Sequence, residues 1–363
     1  LKARATQGGA GPHYIPGSPV IPDPLRVKGT STLSKTEDKL QWVKTDTDQE
    51  RLQEIREQAA KAFFSEFPKI EIPELECGRR DKTLIPWFNI GDAHLGMIAY
   101  FRECGHSFNL DIGARELLAA FKMLVDKAPK TERCVINDLG DFTHYENWKG
   151  ETEASGHALD NDGRFPKMVK VVSVVWREMV KYALKKFRYV DVLINQGNHS
   201  RTNDIHFAEL IEVAFGHTKR VNVVPNQGKF LPYKMGNTFV VTHHSDKASG
   251  KKLADVILTT YAETVKKCQY IYCDTGHIHH RYVAKEYGII EIESWNNLAP
   301  NDAHHHEAGW RSKQSMSCVV RSTLYGELER FRVPVELVWE RLHKALGDSV
   351  PTSKPGPEVF EVA

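Results

Sequence analysis

Five apolar runs of strand length in this 363-residue chain end in the same kind of punctuation, an aspartate, asparagine or histidine close behind the last apolar position. LIPWFNI (84–90) leads to Asp92 and His94, RCVINDL (133–139) to Asp141, and YVDVLINQG (189–197) to Asn198 and His199. FVVT (239–242) leads to His243 and His244, and YIYCDTG (270–276) to His277 and His279. Helical patterns at 114–128, 167–186 and 205–216 separate the first of these runs, and RVNVVP (220–225) reads as a further strand. Strands alternating with helices predict βαβ units and a sheet covered by helices. In such folds the loops beyond the strand ends form the ligand crevice, so polar groups far apart in sequence can converge there.

The second half is richer in hairpins, with turns expected at Gly236-Asn237, Gly288 and Gly326. Helices are expected at 251–268 and 335–346. This order fits an α/β fold of four-layer α/β/β/α type, two mixed β-sheets flanked by helices, better than one doubly wound parallel sheet. Residues 1–47, rich in Gly, Pro and Ser, read as an extended arm or linker, and 48–80 as a helix (about 48–66) and connector. Residues 81–335 form the main domain, and 336–363 a C-terminal helix and tail.

Composition narrows the chemistry. The 49 Lys and Arg against 47 Asp and Glu give a net charge of +2, too balanced to imply nucleic-acid binding through bulk charge. Six cysteines without a CxxC pair suggest neither a disulfide framework nor a thiolate zinc knot. With no apolar run long enough to span a bilayer and no leader pattern, a cytoplasmic location without membrane association is the expectation. Histidine is the excess, 17 in all, eleven of them between positions 199 and 306. Carboxylate and imidazole groups suit hard to borderline divalent ions such as Mn, Fe, Zn, Ni or Mg.

The ordered blocks D-x-H (Asp92, His94), GD (Asp141), GNH (Asn198, His199), H (His243) and GH-x-H (His277, His279) resemble the calcineurin-like metallophosphoesterase family, which includes double-strand-break repair nucleases. The resemblance implies two divalent ions, Mn²⁺ foremost. Asp92, His94 and His279 would hold the first, Asn198, His243 and His277 the second, and Asp141 would bridge them. His199 would act on the scissile phosphate. His144, three residues after Asp141, corresponds to a histidine near the leaving strand in the nuclease branch. The implied reaction is hydrolysis of a phosphodiester, in DNA or another nucleic acid, by a metal-bridging hydroxide. The alternatives are a phosphomonoesterase or nucleotide or protein phosphatase with the same dinuclear centre, and a catalytically weak interaction protein. Related nucleases are often dimeric, which makes a homodimer an expectation.

Two features depart from the family pattern. Ser200 stands where an acidic residue commonly orients the GNH histidine, with Asn203 and Asp204 nearby as substitutes. His244 stands where the family often has glycine, and His243, first after the strand, aligns with the motif. Arg201, Arg311 and Ser312 are candidate phosphate contacts, and Trp295 or Trp310 candidate stacking partners for a base. Trp148, Trp176 and Trp339 are expected to pack in the interior.

Overall fold

The computed structural model describes residues 25–35, 38–47, 70–152, 156, 158–225, 228–279, 281–300, 313–347 and 349–354. The chain divides into two units, Leu1–Pro68 and Lys69–Ala363. The helix expected at 48–66 and the candidates Trp310, Arg311 and Ser312 lie outside the described residues.

In the first unit, β1 (Leu25–Lys35) pairs antiparallel with β2 (Asp38–Thr47), from Leu25 opposite Thr47 to Lys35 opposite Asp38. This hairpin lies within the segment expected as an extended arm. Val27, Thr30, Thr32, Val43 and Thr45 supply the β-branched residues that favour strand pairing despite the surrounding Gly, Ser and Lys.

The second unit carries two sheets. One is six-stranded and built from β3 (Leu84–Ile90), β4 (Arg133–Asp138), β5 (Tyr189–Ile194), β6 (Val221–Val223), β12 (Ser315–Ser322) and β13 (Gly326–Pro334), in the order β13-β12-β3-β4-β5-β6. From β3 to β6 the pairing is parallel, and β12 joins β3 and β13 antiparallel. The other is five-stranded, with β7 (Leu231–Met235), β8 (Thr238–His243), β9 (Tyr270–Thr275), β10 (Tyr282–Tyr287) and β11 (Ile290–Ser294) in the order β10-β11-β9-β8-β7. Its central strands β8, β9 and β11 are parallel and its edges antiparallel.

The short α1 (Phe101–Cys104) packs Cys104 with Phe108 and Ile112, and three longer helices, α2 (Leu110–Lys127), α3 (Phe165–Lys186) and α4 (Arg201–Phe215), cover the six-stranded sheet. Period-two alternation sorts the strand side chains into layers. On β3, Phe88 and Ile90 face the helical side, where α2 and α3 supply Phe121, Leu124, Val172 and Trp176; Ile85 and Trp87 face the other sheet. On β8, Val240 points toward the six-stranded sheet, while Phe239 and Val241 pack under α5 (Gly250–Thr260) with Leu253 and Ile257. Each such buried apolar side chain contributes about 1.5–3 kcal/mol relative to exposure. The result is helices, sheet, sheet, helix, the four layers expected from the element order.

The helix boundaries shift for local reasons. α2 starts four residues before the expected 114 because Asn109 Oδ1 accepts the Ile112 N–H and caps it. The helix expected at 251–268 breaks at Tyr261 into α5 and α6 (Ala262–Val265). After α7 (Val335–Leu346) the tail turns back, and Ser353 donates its N–H and Oγ–H to the buried Glu116 of α2, which also accepts from Trp339 Nε1. No helix among the described residues is long and apolar enough to cross a membrane.

Candidate metal centre

The parallel strands β3, β4 and β5 of one sheet and β8 and β9 of the other deliver their C-terminal ends to one place. There the donor atoms of Asp92, His94 and His279 lie within 4.8 Å of one another, and so do those of Asp141, His244 and His277. His94 Nε2 is 3.1 Å from His279 Nε2, which is 3.6 Å from Asp92 Oδ1. His244 Nε2 is 3.0 Å from Asp141 Oδ2 and 2.9 Å from Asn198 Oδ1. Asp141 Oδ1 accepts the His199 N–H at 2.7 Å, and both oxygens of Asp92 accept the His277 N–H.

The backbone is distorted to achieve this. Among the described residues, those other than glycine with positive φ are Asp92 (29°), His94 (44°), Asp141 (54°), Ser245 (75°), His277 (70°) and His279 (54°). Left-handed backbone is unfavourable for residues with a Cβ, and such strain clusters at functional sites. Glycines give the loops their close approach. A Cβ on Gly197 would stand 2.0 Å from Asp141 Oδ1, and one on Gly276 2.9 Å from Asp92 Oδ2.

One expected position is corrected by the geometry. His244, not His243, faces the centre: its Nδ1 lies 2.8 Å from the Leu139 carbonyl and its Nε2 points at Asp141 and Asn198. His243, the last residue of β8, accepts the Ser245 N–H on Nδ1 and packs its ring against Phe230, 4.4 Å between centroids. Adjacent strand-end residues point to opposite faces, so only one of the pair can reach in. Both histidines are visible in the sequence, but nothing local distinguishes them.

His199 is held by backbone rather than by a carboxylate. Its Nδ1 is 3.1 Å from the His144 carbonyl, while Ser200 Oγ donates to Asp204 Oδ2, which also accepts the Gly197 N–H. Asp204 therefore braces the Gly197–Ser200 loop, and Asn203 instead donates to Thr143 Oγ1 and the Tyr145 carbonyl. His144 is 1% exposed. Its ring stacks on His199 at 5.3 Å, and its Nδ1 is 3.3 Å from His94 Nδ1. It touches the other histidines rather than opening to solvent. Arg201, at the exposed start of α4, donates Nε–H to Gln196 Oε1 at 3.2 Å.

The electrostatics suit a cation. Burial works against the His244 imidazolium, yet Asp141 and Asp92 hold that ring's pKa up at about 10. For Asp141, burial opposes ionisation, but the neighbouring imidazoles of His244 and His199 keep its carboxyl well below the usual range. Burial, followed by His279, His199 and His144, pushes His94 well below its ordinary value. Carboxylates that stabilise positive charge on a buried imidazole would stabilise a divalent ion in the same place, with His244 then neutral. The oxygen and imidazole donors, with no thiolate among them, fit the same ions.

Two aromatic expectations are reversed. Trp295 is buried, donating Nε1–H to Asp274, so it has no face for a ligand. Trp148 is 76% exposed.

No family model matches the chain, and no curated protein matches it. Solved structures similar to it include a 5'-nucleotidase precursor from Thermus thermophilus, at 9% identity over 72% of this chain and 59% of that one, TM-score 0.36. A dimetal phosphatase from Danio rerio is 11% identical over 70% of this chain and 100% of its own, TM-score 0.35. A 5'-nucleotidase from Candida albicans is 10% identical over 77% of this chain and 56% of its own, TM-score 0.34. The chain thus spans under two thirds of either nucleotidase. Likenesses this low leave the two-sheet architecture to rest on the chain's own strands.

Proposed function

We propose that the chain is a hydrolase, a divalent-metal-dependent phosphoesterase of the calcineurin-like type. The observation that carries this reading is the convergence of two donor groups, Asp92 with His94 and His279 and Asp141 with His244 and His277, where strands of both sheets end, on backbone strained only there among the described non-glycine residues. Asp92, His94, Asp141 and His279 would hold one ion and Asp141, Asn198, His244 and His277 the other, so His244 takes the place first expected of His243. Bound there, two divalent ions supply Lewis-acid neutralisation of phosphate oxygens and an activated water at neutral pH.

The chain's own residues do the rest. Asp141 holds the His199 N–H on one oxygen and faces His244 with the other, which fixes both rings relative to the carboxylate. His199, its Nδ1 engaged by the His144 carbonyl, keeps Nε2 for the phosphate or the leaving oxygen. Buried against His94 and His199, His144 orients both rings. Arg201 stands on the neighbouring first turn of α4 as a phosphate contact.

We place the substrate among nucleotides and nucleic acids, as a phosphodiester. The same donors serve a monoester equally, and the burial of His144 removes it from contact with a leaving strand, so a nucleotide phosphatase is the second reading. Metal-depleted protein should be inactive on bis(p-nitrophenyl) phosphate and on p-nitrophenyl phosphate, and Mn²⁺ should restore activity on at least one. Full turnover in saturating chelator would overturn the reading, and the ratio of the two rates decides between diester and monoester.

A further inference from the structure

Trp148 occupies an unusual position for a tryptophan. It stands at the second position of the turn Asn147–Gly150, closed by the Gly150 N–H donating to the Asn147 carbonyl at 3.4 Å. Asn147 Oδ1 accepts the N–H groups of Lys149 and Glu151, and its Nδ2 donates to the Glu151 carbonyl at 2.6 Å. The Leu159 N–H donates to the Gly150 carbonyl, and Glu151 bridges Ala158, so the turn is pinned on both flanks. Behind the indole lies Phe165, 6.0 Å between centroids, which itself packs on Tyr145 at 6.1 Å. A fixed aromatic plane is thus backed by aromatic rings and left 76% exposed.

Its location ties it to the centre. Trp148 follows the buried His144 by four residues, which limits their Cα separation to about 14 Å. Between them, Glu146 Oε2 accepts the Thr202 N–H at 2.5 Å, fastening the loop to the first turn of α4 beside His199 and Arg201. The loop that carries the exposed indole is therefore tied to the helix turn that carries Arg201. An exposed aromatic plane that packing does not require, set a few residues from a phosphate centre, suits a ligand carrying both a phosphate and a flat π-face.

We propose that Trp148 is a stacking platform for the nucleobase of a nucleotide or single-stranded nucleic-acid substrate, with Arg201 on the phosphate side of the same subsite. This assignment rests on the phosphoesterase reading and specifies its substrate class. Stacking of a base on an aromatic side chain is sequence-tolerant, so selection for a nucleoside over a base-free sugar phosphate is expected without preference among bases.

The test compares AMP with ribose 5-phosphate by calorimetry on the Mn²⁺-loaded full chain, in a His199→Ala background so that neither phosphate is consumed during titration. AMP should bind on the order of tenfold more tightly than ribose 5-phosphate. Trp148→Ala should abolish that preference while leaving ribose 5-phosphate binding unchanged, and Trp148→Phe should retain most of it. Equal binding of the two ligands before substitution, or a preference that survives Trp148→Ala, would overturn the assignment. Turnover of bis(p-nitrophenyl) phosphate and p-nitrophenyl phosphate by the chain with His199 intact is read separately. Failure there tells against the phosphoesterase reading, whereas turnover with no base preference tells against the platform alone.

Discussion

Arg321 and Asp274 on one side, and the Asp/His centre on the other, are buried charged groups placed between the same two sheets. Arg321 comes from β12 and Asp274 from β9; the guanidinium donates to both carboxylate oxygens at 2.9 and 2.8 Å and lies over the rings of Trp87 and Tyr272. One cation meets one anion in fork geometry. In the candidate centre, Asp92 and Asp141 face several imidazoles whose protonation is mutually antagonistic, and the backbone is strained. A structural ion pair balances its charge from within, whereas the candidate site gathers several oxygen and imidazole donors within 4.8 Å of one another.

The largest expected effect probes the balanced pair. Arg321→Met strands the buried Asp274 carboxylate and should lower unfolding stability by about 3–5 kcal/mol in urea titrations. Adding Asp274→Asn should recover most of that loss. Turnover per folded molecule with Mn²⁺ should stay constant throughout, and a tenfold drop would break the distinction by making the pair part of the catalytic machinery.

Glu116 sits between the two extremes, supplied with donors from Ser353 and Trp339, while burial pushes its carboxyl up to about 7 from the ordinary 4.5. Between those values the folded chain keeps a proton that the unfolded chain has released, so stability falls as pH rises through the window, by about 3 kcal/mol in total. Urea midpoints measured from pH 4.5 to 8 should show that decline relative to Glu116→Gln. Parallel curves for the two proteins would show that the tail holds the carboxylate as comfortably as water does.

The smallest effect sharpens the centre itself. His244→Ala should cut Mn²⁺-dependent turnover about a hundredfold and weaken binding of one of two ions, read by metal titration. His243→Ala should leave the stoichiometry intact and turnover within a few fold. The reverse ranking would return the inward position to His243.

Much of this could be read from the chain because two periodicities stay clean. Alternation in LIPWFNI and RCVINDL dictates which residues face the helices and which the second sheet, and turn glycines at 236, 288 and 326 punctuate the hairpins. The polar residues behind each strand mark the crevice because loops at parallel strand ends have nowhere else to converge. What escaped was decided by tertiary packing. Whether His243 or His244 turns inward depends on Phe230, across the β7–β8 hairpin, and on the Leu139 carbonyl, 105 positions away. Trp148 and Trp295 exchanged their expected environments because a buried Asp274 offered Trp295 a partner, whereas the Asn147 turn carried Trp148 outward. The β1–β2 hairpin was obscured by a composition that resembles linker.

Gathering donors from both sheets also gives the centre a mechanical meaning. Asp92 hangs from the six-stranded sheet and His277 from the five-stranded one, 185 positions further along, and their hydrogen bonds cross the seam. An ion captured there would rivet the two halves of the sandwich, and its binding energy would add to resistance against unfolding as RT ln(1 + [ion]/Kd). Melting temperature would then serve as a gauge of which cation the seam prefers, in the absence of any substrate.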